Sequence, residues 1–447
     1  MPLEQNNTSL SIRVELEQAL AGLEKLGGFD FVETLIDNLQ NLNPQRKARR
    51  NIFLSEPSKL EERKELKKRL DIWITLLEEY DQLADIYQAC VDKSDATWIH
   101  LNTQLAKAIE RTRDLEASYR AMELFYKNTE SPKLKNIFII NAAPEQLNNP
   151  LETKFIDAIQ DELVNNYDRL DMRNSYSLLI LPGYLGSNKV LFKWARIAHA
   201  NKVMLITDFL HQESADDVMA LFEEANLTGQ DLYFSNAMMT CNWLLGRNRF
   251  EMLGEEEDLF VSPAAALGGK IYATFLSQAT AGKKFGGLSG TETVAFPLKK
   301  SEIATLDKIG LIPMVNEYGK VMPFSAKTLY TGDNLGLQTY SLVRLLDYIS
   351  KCMMDFLNRR AFENFNANTR KDLSSQVVKF LESITGPAKY LESFTLIRFE
   401  EDPAQKERIY LDIAVKPFFP AKSFLLQMDG MRGDDGTGWS TEYKQQK

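Results

Sequence analysis

Apolar positions in the first third of the chain recur at helical spacing. Leu66, Leu70, Trp73, Leu77, Tyr80, Ala84, Tyr87 and Val91 advance by alternating steps of four and three. After a polar break at Asp92-Lys-Ser-Asp95 the pattern resumes with Trp98, Leu101, Leu105, Ala108, Thr112, Leu115, Tyr119, Met122 and Tyr126. Such steps keep one face of a helix apolar and make a heptad-like seam. The break is short enough for an antiparallel helical hairpin, with Asp95 as N-cap of its second helix. Aromatic residues in a seam point to core or interface. Upstream, Leu16, Leu20 and Leu23 share one face of a predicted helix over Leu10–Leu26 that stops at Gly27-Gly28. A short amphipathic helix near a terminus suits either a partner's groove or its own domain.

The pattern changes at Ser131-Pro132. Asn136–Ile140 reads as a buried strand, Ser177–Leu181 and Lys202–Ile206 as two more, with helices at Glu152–Leu163 and Val190–Ala200 between them. That alternation predicts an α/β domain with parallel strands. Pro263–Gly269 reads as a close-packed turn and helix start, Lys270–Ala281 as a helix, and Phe285–Gly290 as a flexible surface loop. Further on, a helix over Lys300–Ile309 ends at Gly310, and strands Leu311–Val315 and Lys320–Met322 flank the turn Asn316–Gly319. A long helix, Tyr340–Asn358, carries the apolar face Leu342, Leu345, Leu346, Ile349, Met353 and Phe356. A second helix spans Thr369–Glu382, with Asp372 placed to satisfy its early amides. Strands follow at Ser393–Phe399 and Ile409–Val415. In the latter, Ile409, Leu411, Ile413 and Val415 share one face and Tyr410, Asp412 and Lys416 the other, which predicts a half-buried antiparallel strand. A last strand, Ser423–Met428, precedes a Gly- and Asp-rich tail expected to be mobile.

Composition narrows the function. A chain of 447 residues holds two or three domains. Its formal net charge of −9 argues against general nucleic-acid binding. Arg46–Arg69 holds ten Lys or Arg against four Glu, which in an acidic chain reads as a solvated helix face or a contact with an acidic partner. No apolar run is long enough to span a membrane, and the polar start Met1–Thr8 predicts no signal peptide. Cys90, Cys241 and Cys352 are odd in number and lack CxxC spacing, so neither a disulfide framework nor a zinc site is expected. Cys90 and Cys352 read as buried thiols. A reducing cytoplasm follows.

Candidate chemistry is sparse. Pro182-Gly-Tyr-Leu-Gly-Ser187 follows a strand and precedes a helix, the place where amides cradle phosphate, but it fits neither dinucleotide nor P-loop spacing. Ala281-Gly-Lys-Lys284 has a P-loop lysine without its frame. His199 and His211 flank a strand ending in Thr207-Asp208, while His100 stands far off. Their spacing matches no ligand pattern, and no nucleophile elbow accompanies them. Surface or satisfied histidines are expected.

The C-terminal region from about Thr305 to Asp429 resembles the sheath domain of phage tails and type VI secretion systems. Its Phe324-Ser-Ala-Lys-Thr-Leu329 is a weak form of the tail-sheath consensus. More specifically, Gly27-Gly-Phe29, Asn41-Leu-Asn-Pro44 with Arg46-Lys-Ala-Arg49, Ile52-Phe-Leu54, Asp114–Arg120 and Leu124–Glu130 resemble the large contractile-sheath subunit of type VI systems of the Bacteroidetes-type branch. The resemblance implies an α/β (α+β) chain with an N-terminal helix and basic linker (1–58), a helical hairpin (59–130), a central α/β domain (131–300), a sheath C-terminal domain with strand exchange (301–429) and a mobile tail (430–447). It implies a structural subunit of bacterial protein secretion, without catalytic residues, metal or cofactor. The partners implied are an obligate small sheath subunit, further copies in a helical tube, an inner tube protein, a baseplate and an AAA+ ATPase that disassembles the contracted sheath. Leu66, Leu70, Trp73, Leu77, Trp98, Leu105 and Tyr119 would meet the small subunit. Ile409, Leu411, Ile413, Val415 and Leu425 would take part in strand exchange. Leu16, Leu20 and Leu23 would be the ATPase-recognition face. Two alternatives stay open: an α/β enzyme or nucleotide-binding protein using Pro182–Ser187, and a scaffold that pairs through the hairpin without polymerising.

Overall fold

The computed structural model describes residues 44–129, 134–149, 154–173, 175–422, 425–431 and 438–444; Leu16, Leu20 and Leu23 lie outside them. The chain divides into two units, Met1–Thr103 and Gln104–Lys447.

In the first unit, α1 (Pro44–Ser55) and α2 (Leu60–Glu79) are followed by the start of α3 (Leu83–Asn128). Arg63 Nη1 donates to the carbonyls of Phe53 and Glu56, both at 2.7 Å, which satisfies acceptors at the end of α1. The helical region is as expected, but its interruption moves. It falls at Tyr80–Gln82, where Tyr80 turns extended (φ −130, ψ 129). The helix continues through Asp92–Asp95, so Asp95 is interior and caps nothing. Those four residues are polar but include neither Gly nor Pro, and a polar patch on a solvent-facing helix does not break it. Among the described residues of this unit only Ile86 is a buried apolar side chain. Cys90, expected to be buried, is exposed.

The second unit is built on a five-stranded sheet in the order β1-β2-β3-β6-β7. Its strands are β1 (Leu178–Leu181), β2 (Met204–Asp208), β3 (Ala237–Cys241), β6 (Leu311–Glu317) and β7 (Lys320–Pro323). The small pair β4 (Leu244–Arg247) and β5 (Leu259–Val261) lies between β3 and β6 in sequence. β1, β2, β3 and β6 run parallel, and β6–β7 is an antiparallel hairpin. Its two-residue loop, Tyr318 (φ 56) and Gly319 (φ 73), has the doubly left-handed backbone of a hairpin turn that matches strand twist.

Helices cover both faces, so the central strands are apolar on both sides. α4 (Lys154–Tyr167), α5 (Asn188–Ala200) and α6 (Ala215–Ala225) pack with Leu205, Met239 and Leu311. Opposite them, α7 (Pro263–Ala273) and the end of α3 pack with Met204, Ile206, Met238, Ile312 and Met314. The helix expected over Lys270–Ala281 therefore starts earlier and ends at Ala273. It is almost wholly buried, from Pro263 to Ile271 with the exception of Lys270. Gly269 permits this burial: a Cβ there would lie 2.4 Å from the carbonyl oxygen of Phe125 in α3. α8 (Lys300–Ile309) ends at Gly310 with φ 103, the predicted left-handed stop.

The second part of α3 is tied down by charge. Arg247, whose side chain is 10% exposed, bridges Glu116 of α3 at 3.0 Å and Glu255 at 2.6 Å, and Arg113 also donates to Glu255. The hydrogen bond from Arg247 holds the Glu255 carboxyl down to about 2. This contribution is therefore present above the ordinary carboxylate range and is lost in acid. The loop expected to be flexible at Phe285–Gly290 is anchored. Leu288 donates its amide to Val321, and Ser289 exchanges hydrogen bonds with Asn128.

A third cluster joins α9 (Tyr340–Arg359), α10 (Ala367–Ile384), β8 (Leu391–Glu401) and β9 (Ile409–Pro417). Asn366, not Asp372, caps α10, accepting the amides of Asn368 and Thr369; Asp372 instead pairs with Arg360 at 2.8 Å. Within the expected mobile tail, β11 (Gly438–Lys444) pairs with β10 (Leu425–Met431).

Candidate assembly surfaces

Most of the residues singled out for partner contact stand uncovered. α2 has no buried residue, and Leu66, Leu70, Leu77 and Trp73 are exposed, Trp73 by 55%. In α3, Trp98 is 58% exposed, and Leu101, Leu105, Leu115, Tyr119, Met122 and Tyr126 are exposed as well. Scattered exposed apolar residues need no explanation, whereas exposed apolar residues recurring at helical spacing, as in each of these two helices, are uncommon on a free surface.

The C-terminal residues are placed differently. Ile409, Leu411, Ile413 and Val415 lie on β9. The last three pack, partly buried, against the core of α9 and α10, while Ile409 stays open. β9 pairs antiparallel with β8, and Arg398 of β8 reaches Asp412 of β9 at 2.7 Å. Among the described residues this sheet has two strands. Its outer edges are unpaired among the described residues apart from a bridge between Thr385 and Leu391. Two strands fall short of an independently stable sheet, and open edges accept further strands. Leu425 begins β10, which pairs with β11 and with no other strand among the described residues.

In the turn Pro182–Ser187 the Gly183 amide is already taken from within. Asp208, at the end of β2 and fully buried, accepts the amides of Gly183 and Ala264 at 2.8 Å each, together with the hydroxyls of Thr240 and Ser262. Its carboxylate thus takes the Gly183 amide at the position a phosphate would need. The group ties four segments of the sheet's carboxyl end together. His199 is satisfied by Asn236 at 2.7 Å. His211, partly exposed, lies against the rings of Trp243 and Phe260, and its buried Nδ1 has no hydrogen-bond partner among the described residues. Among the described residues no group of His, Cys, Asp or Glu could hold a metal ion, and no helix is long and apolar enough to cross a membrane.

Burial pushes the Asp208 carboxyl up to about 6 against the pull of its four donors. The folded chain then holds this proton more tightly than the unfolded chain. The group favours folding in acid and loses that contribution as pH rises through about 6. Asp208→Asn is expected to remove the component. Between pH 4 and pH 6.5, native stability should fall relative to the variant by about 2 kcal/mol, from the size of the shift. Urea unfolding at both pH values measures this, and a difference flat with pH contradicts it.

The chain resembles several known proteins. The chain is similar in fold to the contracted helical sheath of the anti-feeding prophage, at 14% identity and a TM-score of 0.49, covering 70% of this chain and 81% of that one. It is similar to the contracted PVC sheath complex of an extracellular contractile injection system, at 13% identity and 0.47, covering 70% and 80%. A sheath tail protein from Desulfitobacterium hafniense matches at 12% and 0.33, covering 58% and 60%. No curated protein matches in sequence. The chain belongs to the type VI secretion system TssC/VipB family: residues 16–105 match its N-terminal region, 107–331 its central domain and 339–445 its C-terminal domain. It is a structural, large-subunit component of the contractile type VI sheath.

Proposed function

We propose that this large subunit forms an obligate heterodimer with a small sheath subunit through the apolar stripe of α2 and α3. Leu66, Leu70, Trp73, Leu77, Trp98, Leu105 and Tyr119 are its contact residues. The observation that carries this reading is the length of that stripe left uncovered in the isolated chain. Heterodimers then stack into a tube in the bacterial cytoplasm, on a baseplate and around an inner tube protein. Stacking uses heterologous contacts that do not close on themselves. The open edges of β8–β9, with β10 and β11, exchange strands between neighbours, so main-chain hydrogen bonds link the subunits while the bodies rotate. Ile409 and its neighbours on β9, with Leu425, belong to that linkage. Contraction propels the inner tube. An AAA+ ATPase then recovers the subunits, and the predicted helix bearing Leu16, Leu20 and Leu23 is its recognition element.

Light scattering tests the pairing. The chain alone should be small or aggregated, and the small subunit should convert it to a defined complex and then to large assemblies. A chain that stays monodisperse and ignores the small subunit contradicts the proposal.

A further inference from the structure

The sequence pattern predicts a buried strand over Asn136–Ile140; Asn136 has a partner in the structure, but Ile137–Ile140 are neither buried nor in a strand. Ile137, Phe138, Ile139 and Ile140 are 41%, 56%, 56% and 38% exposed. Their main-chain amides and carbonyls make no hydrogen bond to any described residue. Every side chain is β-branched or aromatic, the types that favour strands. In an extended conformation Ile137 and Ile139 face one way, Phe138 and Ile140 the other. A strand apolar on both faces belongs inside a two-sided core, since one solvated face would show alternation. The sequence therefore specifies a covered, hydrogen-bonded strand that the isolated chain leaves bare.

We infer that Ile137–Ile140 is a recognition strand that adds to the open edge of a β-sheet on the partner that covers α3. These main-chain groups, without a partner among the described residues, identify the chemistry: only another extended polypeptide supplies alternating main-chain donors and acceptors at strand spacing. The position identifies which polypeptide. The exposed stripe of α3 runs through Tyr119, Met122 and Tyr126, and the bare segment follows α3 within a few residues. A partner seated on that stripe meets both. The inference rests on the pairing proposed above and adds a main-chain, β-type contact to a helix-on-helix one.

Hydrogen exchange on the full chain, alone and with the small sheath subunit, tests this directly. Amides of Ile137–Ile140 should exchange freely in the chain alone and slow at least 100-fold in the complex. A second variant separates recognition from folding. Ile139→Pro removes one amide and holds Phe138 extended. Because that amide has no partner among the described residues, the thermal midpoint of the isolated chain should stay unchanged while affinity for the small subunit falls at least 30-fold. Ile139→Val should bind normally. Protection already present in the chain alone overturns the inference, because the strand would then be taken by its own sheet edge at β1 or by a second copy. A complex that protects α3 but leaves Ile137–Ile140 fast also overturns it, and leaves the pairing intact. If no complex forms, the pairing itself fails and the inference falls with it.

Discussion

Replacing Trp73 and Leu77 together with glutamate is expected to abolish association with the small sheath subunit and to leave the thermal unfolding of the isolated chain unchanged. Both side chains stand on α2, which buries nothing of its own among the described residues. Substitutions at uncovered surface positions usually alter stability by less than about 0.5 kcal/mol. At an interface the arithmetic differs. A buried tryptophan anchor contributes about 2–4 kcal/mol, roughly 30- to 1000-fold in affinity, and two buried carboxylates add a desolvation penalty. Calorimetric titration measures the first effect and a melting curve the second. A large fall in melting temperature with pairing intact would place the stripe in the chain's own fold and contradict the assembly reading.

Truncation after Lys422 is the second large effect. It removes β10 and β11, which pair with one another and with no other strand among the described residues. The truncated chain should therefore fold, keep its thermal midpoint and still bind the small subunit, yet form no tubes. A longer deletion from Arg408 would be a poorer experiment. It would also strip Leu411, Ile413 and Val415 from the core of α9 and α10, confounding lost linkage with lost folding. Size-exclusion chromatography reports the heterodimer, and electron microscopy the tubes. Tubes of normal length from the truncated chain would show that the C-terminal strands do not link subunits.

Where burial and local chemistry agree, the sequence was a good guide. Gly310 ends α8 because only a residue without Cβ takes φ 103 easily. The periodic faces of Tyr340–Arg359 and Lys154–Tyr167 are core faces, as their spacing requires. β3 to β5 escaped notice. Ala237-Met-Met-Thr-Cys241 is a central strand buried on both faces, so it shows no alternation, and its methionines carry little strand preference. α7 was misplaced for a related reason: its first turns are Ala and Gly, whose burial against α3 and β1 is set by tertiary close approach. The hub at Asp208 was half visible, as an aspartate closing an apolar strand. Its four donors come from Gly183, Thr240, Ser262 and Ala264, which only the fold brings together. The break in the first helices was misplaced because Asp92–Asp95 is polar but holds neither Gly nor Pro, and the Ile137–Ile140 pattern specifies a burial that the described residues do not provide.

The central claim is that this chain works by polymerising with a smaller partner. Electron microscopy of the chain co-expressed with a small sheath subunit tests it most directly. Hollow tubes of uniform diameter are the predicted result. Monodisperse particles, with both chains folded and paired but never polymerising, would contradict it and leave a scaffold in place of a sheath.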